Sequence, residues 1–137
     1  MAPSGKEGYL VRLGVAYNKA GKYDEAAEYY RRALMHDEDP IAHAGLATPL
    51  AAAGKLDEAE HHLKEAVRLS PRLFGAIENL AMVQDRMGKS DESAKNFDTA
   101  LQLRPLSASI NYNYAMFHFR SEEHTSELQS PYVISYA

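Results

Sequence analysis

The chain is 137 residues long, 45% hydrophobic and 25% charged, the balance of one water-facing globular domain with a modest core. Its 15 Lys and Arg against 19 Asp and Glu give a formal net charge of -4 with no basic run, which argues against a nucleic-acid partner, and its longest apolar stretches are far too short to span a bilayer. Without cysteine it can form no disulfide, thiolate zinc site or thiol nucleophile, and that usage fits a reducing compartment such as the cytoplasm.

Residues 1–6 carry no apolar h-region and read as a flexible start rather than a secretion signal. From Glu7 the spacing of Leu10, Leu13, Gly14 and Tyr17 predicts a helix running to about Ala20. Gly21 then stops it, because a glycine just past a helix end takes the left-handed conformation at little steric cost. Asp24 and Glu25 follow in the first turn of a second helix, where the helix dipole favours carboxylates. That helix carries Ala26, Tyr30 and Ala33, a small-large-small pattern that lets two helices approach closely.

The phrase beginning at Gly21 (Gly-Lys-Tyr-Asp-Glu-Ala) returns 33 residues later as Gly54-Lys55-Leu56-Asp57-Glu58-Ala59 and 34 residues after that as Gly88-Lys89-Ser90-Asp91-Glu92-Ser93. A fixed period of about 34 residues marks stacked two-helix units that share one continuous core. The units are predicted over residues 7–39, 40–73 and 74–107, with the first helix of a fourth over 108–119. Pro71 and Pro105 end the second helices of units two and three, whereas unit one closes on Glu38-Asp39-Pro40, a tighter connection. Pro49 falls inside a predicted helix, deleting one backbone bond, and a kink near Gly45 to Ala47 is expected.

Taken in order, these residues resemble the tetratricopeptide repeat (TPR). The second unit matches through His43, Leu46, Ala47, Leu50, Gly54, Ala59, Leu63, Ala66 and Pro71. The third matches through Ile77, Leu80, Ala81, Gln84, Gly88, Ser93, Phe97, Ala100 and Pro105, with His43, Gln84, Ser90 and Ser93 the poorer fits. The resemblance covers about residues 7–119 and implies an all-α, right-handed solenoid of antiparallel helix pairs. It also implies a non-catalytic scaffold that holds a protein or peptide partner in a concave groove lined by the first helix of each unit.

Carried over by register, the implied groove residues are Val11, Arg12, Val15, Asn18 and Lys19 in the first unit and Ile41, Ala44, Gly45 and Thr48 in the second. The third contributes Glu78, Asn79, Met82, Asp85 and Arg86, and the fourth Tyr112, Asn113 and Met116. Some members grip a terminal carboxylate with Lys, Asn and Arg at fixed positions. Here those positions hold Val11, Val15, Gly45, Gly75 and Asn79, so binding of chaperone tails is disfavoured. Asn79 and Asn113 share one register position and form a candidate pair for bonding a ligand backbone, a ladder broken at Arg12 and Gly45.

Past Phe119 no glycine arrives at Glu122. The run from Arg120 to Ser130 resembles a translated DNA-sequencing adapter, and Ile134 to Ala137 resembles its continuation. Residues 120–137 are therefore read as a non-native tail, and the chain as a segment of a longer repeat protein with Met1 an equally arbitrary start. Ile110, Tyr114, Ala115, Phe117 and Phe119 are then expected to lack a covering helix, offering a face for self-association.

No residue pattern calls for a cofactor or metal. His61 and His62 are adjacent and point about 100° apart on a helix, so they do not converge on one ion, and they are read with His36 and His43 as solvent-facing. The recurring Asp-Glu pairs are explained by helix starts, and the tyrosines by helix packing rather than base stacking. No phosphate loop or nucleophile elbow is present. The chain is thus read as no enzyme by itself. The rival reading is the substrate-recognition arm of a larger enzyme, such as a glycosyltransferase or a protease.

Overall fold

A computed structural model describes residues 5–128, and the side chains of residues 8–122. All described secondary structure is helical: α1 (Gly5–Lys19), α2 (Tyr23–Leu34), α3 (Pro40–Ala52), α4 (Leu56–Leu69), α5 (Phe74–Arg86), α6 (Ser90–Leu103) and α7 (Ala108–Leu128). Of the residues expected to be flexible at the start, Gly5 and Lys6 belong to α1, and 1–4 lie outside the described residues.

The repeated glycine builds the same stop three times. Gly21, Gly54 and Gly88 have φ of 75°, 78° and 81°. At the first, the Lys22 N–H donates to the Tyr17 carbonyl at 2.9 Å and the Gly21 N–H to the Asn18 carbonyl at 3.0 Å. Lys55 with Leu50 and Lys89 with Gln84 repeat the longer bond at 2.8 Å. Two otherwise orphaned carbonyls are satisfied while the chain reverses, so each hairpin of helices is set by one residue with no Cβ.

The tight first connection has its own device. The Asp39 carboxylate accepts the N–H groups of Ile41 at 2.7 Å and Ala42 at 3.3 Å, and Pro40 occupies the first helical position where no N–H is needed. α5 begins after Leu73 with no side-chain cap, so this junction is distinct from the one that follows Pro71.

Each second helix buries its small-large-small stripe. Tyr30 is 1% exposed, Leu63 0% and Phe97 1%, with Ala26, Ala59 and Ser93 all at 0%, so the same buried stripe recurs in all three units. Serine is tolerated at the third small position because the Ser93 hydroxyl donates to the Ala81 carbonyl at 2.7 Å. α3 continues through Pro49 as one helix.

Two expectations for the far end are corrected. Ile110 and Phe117 are buried, at 0% and 4% exposure, Ile110 beside Ile77 and Ala100, Phe117 beside Ala81 and Phe97. Tyr114 stacks on Phe97 with centroids 5.3 Å apart, and its hydroxyl donates to Asp98 Oδ1 at 2.6 Å. Only Phe119, at 59%, stays open among the larger side chains of that set. The helix also does not end at Phe119: α7 runs on to Leu128, and Arg120 pairs with Asp85 of α5. The stretch of the supposed tail from 129 to 137 lies outside the described residues.

Candidate functional site

α1, α3, α5 and α7 touch in succession and form one face of the stack. Three depressions lie in file along it. The first lies among Val15, Asn18, Lys19, Ile41, Ala44 and Gly45 and extends to Asn79. The second is bounded by Thr48, Asn79, Met82 and Arg86, with Tyr23 reaching in from the start of α2. The third is bounded by Met82, Asp85, Arg86, Tyr112, Asn113 and Met116, joined by Arg120. Thr48 and Asn79 border the first two depressions, and Met82 and Arg86 the last two, so the three are continuous.

Val11, Arg12 and Glu78 line none of these three. Val11 packs against the core and Arg12 is exposed. Glu78 is only 8% exposed, and its two carboxylate oxygens accept from Ser109 Oγ at 3.2 Å and Asn113 Nδ2 at 2.8 Å. It bridges α5 and α7. The same bond engages Asn113, so the asparagine ladder reduces to Asn79, which has no hydrogen-bond partner among the described residues.

Pro49 explains the chemistry at Asn18. Having no N–H, it leaves the Gly45 carbonyl without its helical donor, and Asn18 Nδ2 supplies one from α1 at 2.9 Å. The same amide nitrogen lies 3.4 Å from the Tyr30 hydroxyl, and its oxygen is buried without a partner. Flipping the amide would set oxygen against the Gly45 carbonyl, so the observed orientation is the one the carbonyl demands. Burial pushes the Tyr30 phenol up, with Asn18 opposing. Its ring fills the space between Gly14 and Gly45: a Cβ at Gly45 would sit 2.2 Å from Tyr30 Cζ, and one at Gly14 2.6 Å from Cε1.

Two polar clusters lie off this face. Glu60, 7% exposed, accepts from Lys89 Nζ at 2.9 and 3.1 Å and from Gln84 Nε2 at 3.2 Å, and Asn96 Nδ2 donates to the Gln84 oxygen at 2.6 Å. Burial raises the Glu60 carboxyl, but the bonds from Lys89 and Gln84 and the nearby ammonium groups outweigh it, so its pKa lies below the ordinary value. Gln84, a poor match to the repeat, is thus the hub joining α4, α5 and α6.

The second cluster corrects the solvent-facing reading of His43. That ring is 6% exposed, with Nδ1 2.9 Å from His62 Nδ1 and Nε2 2.8 Å from Glu38 Oε2. The tyrosines divide. Tyr17 stacks on Tyr29 with centroids 5.4 Å apart, whereas Tyr9, Tyr23 and Tyr112 are exposed. Tyr23 and Ala51 were missed as groove residues, because their register positions carry no compositional mark.

Comparison with known proteins places this geometry. The tetratricopeptide repeat family matches residues 9–40 and again 79–132, together more than half of the chain. The photosystem I assembly protein Ycf3 of Synechococcus elongatus is 32% identical over 93 residues, covering 65% of this chain and 54% of that protein. The TPR repeat-containing thioredoxin TTL4 of Arabidopsis thaliana is 36% identical over 88 residues, 64% of this chain and 13% of that protein. The chain therefore spans about half, or much less, of the length of these relatives. Among solved structures, the first TPR of Spaghetti (RPAP3) bound to the HSP90 peptide SRMEEVD superposes with a TM-score of 0.79 at 24% identity, covering 88% of this chain and 96% of that one. Three coincident glycine stops, a buried stripe repeated in each unit and these matches lead to one assignment: the chain belongs to the tetratricopeptide repeat family.

Proposed function

We propose that the chain is a non-catalytic protein-interaction scaffold that holds an extended peptide or a helix of a partner along the face of α1, α3, α5 and α7. The observation that carries this reading is the file of connected depressions, whose floor of small residues admits a backbone closely and whose Asn79 amide is uncommitted. Ycf3 supports the class, as a protein named for assembly.

A clamp on the terminal carboxylate of a peptide is disfavoured in this chain. The likeness to RPAP3 is one of fold, and the side chains at the clamp positions of this chain are Val11, Val15, Gly45, Gly75 and Asn79, none a cation. Panning random peptides against the chain, followed by fluorescence anisotropy, tests the proposal. Selected peptides are expected to saturate, and the exposed Thr48→Trp is expected to weaken them at least about tenfold by filling two depressions, about 1.4 kcal/mol. Recovery of no binding peptide, or full affinity in Thr48→Trp, would sink the reading.

TTL4 favours a second reading, because there a TPR segment belongs to a protein named as a thioredoxin. On that reading the groove is the recognition arm of a larger enzyme. An uninterrupted gene encoding a catalytic domain would support it, and one encoding repeats alone would remove it.

A further inference from the structure

The middle depression joins its two neighbours, sharing Thr48 and Asn79 with one and Met82 and Arg86 with the other. Small residues, Ala47 and Ala51 among them, form its base, Tyr23 and Arg86 stand on its rim, and its volume is about 280 Å³. Open to the depressions on either side, it is a widening of the groove with room for one bulky side chain of a larger partner. Tyr23 stands there because α2 starts directly after the Gly21 reversal, and its ring is 37% exposed.

The charge of this face runs against that of the chain. Asp85 is paired with Arg120, and Glu78 is buried beneath Asn113 and Ser109. Lys19 and Arg86 have no carboxylate partner among the described residues. Arg86 spends one Nη1 bond on the Ala51 carbonyl at 3.2 Å, which anchors the guanidinium at the rim and leaves its other donors open. A chain of net charge -4 thus offers uncompensated positive charge along its groove.

We propose that this depression is a socket for one apolar side chain of an acidic, extended peptide, with a carboxylate of an adjacent peptide residue on Arg86. The segment is internal to the partner rather than its C-terminus, since Val11, Val15, Gly45 and Gly75 supply no side-chain donor at the clamp positions and the remaining one, Asn79, is a single neutral amide. This rests on the peptide-groove reading above and adds what the groove selects.

Peptides from a random twelve-residue library, panned on the whole chain, are expected to share an apolar residue next to Asp or Glu. Amidating the C-terminus of a selected peptide is expected to change its affinity less than about threefold. Arg86→Glu is expected to weaken it at least about tenfold, and exchanging the peptide's Asp or Glu for Lys is expected to restore binding to that variant. The exposed Ala52→Phe, filling the socket from its edge, is expected to weaken apolar-anchored peptides with the circular dichroism spectrum unchanged. Peptides that bind and are blocked by Thr48→Trp, yet show no acidic preference and ignore Arg86→Glu, overturn the socket while leaving the groove reading intact. A tenfold loss on amidation overturns the internal-segment assignment. Absence of any binding peptide overturns both.

Discussion

Gly45 is held to hydrogen by Tyr30 of the neighbouring unit. Gly45→Ala places a methyl 2.2 Å from Tyr30 Cζ, so the ring or both helices must shift, and a loss of about 1–3 kcal/mol is expected in urea denaturation. Gly75→Ala, with nothing within 4 Å of the added Cβ, is the control and is expected to gain up to about 1 kcal/mol from helix propensity. Equal shifts in the two variants would show that the Tyr30 contact is unimportant. The bond from Asn18 to the Gly45 carbonyl is tested by a cycle with Pro49. Asn18→Ala is expected to cost about 1–3 kcal/mol by stranding that carbonyl, and clearly less in a Pro49→Ala background, where a backbone N–H returns. An identical cost in both backgrounds would reject the link. The sequence marked Pro49 as anomalous and placed both Asn18 and Gly45 in the groove. It could not show that one repairs what the other lost, because the repair crosses between helices 27 residues apart in sequence.

Among the elements, α3 and α4 meet through the paired rings of His43 and His62. Burial lowers the His62 pKa first, and His43, His61 and Arg31 add to that, while Glu58 opposes them. A histidine depressed in the fold is protonated more readily when unfolded. Its contribution to stability is therefore full above the ordinary value of 6.5 and lost as pH falls through the lower folded value. Two protons on the facing Nδ1 atoms would also set like charges together. We expect the thermal midpoint to fall between about pH 8 and about pH 5, with His62→Gln flattening that slope. A wild-type midpoint constant over the range would refute it. The three reversals were legible because a single local residue type, glycine, dictates them. The buried roles of His43 and Gln84 were not, because a polar residue at a core position looks like a poor match until its partners from other helices are seen.

In the whole molecule each unit contacts chiefly its neighbours, so stability is distributed along the stack rather than held in one centre. The principal buried cluster runs from α1 to α5, while α7 contributes to two smaller ones. Native-state hydrogen exchange is expected to protect α3 and α4 most and the first turns of α7 less, and equal protection would contradict a one-dimensional stack. Exposed Phe119 and Tyr112, at 59% and 65%, lead us to expect a weight-average mass that rises with concentration. Phe119→Ser should flatten that rise, and a concentration-independent monomer would dismiss it. The glycine reversal has a last consequence in its absence. At 21 residues, α7 is about 31 Å long against about 20 Å for the 13-residue α3 and α5, so an outrigger of roughly two turns projects where every earlier unit has folded back. The stack carries its own ruler at this end, and Glu122→Gly is expected to weaken its last turns by about 1 kcal/mol.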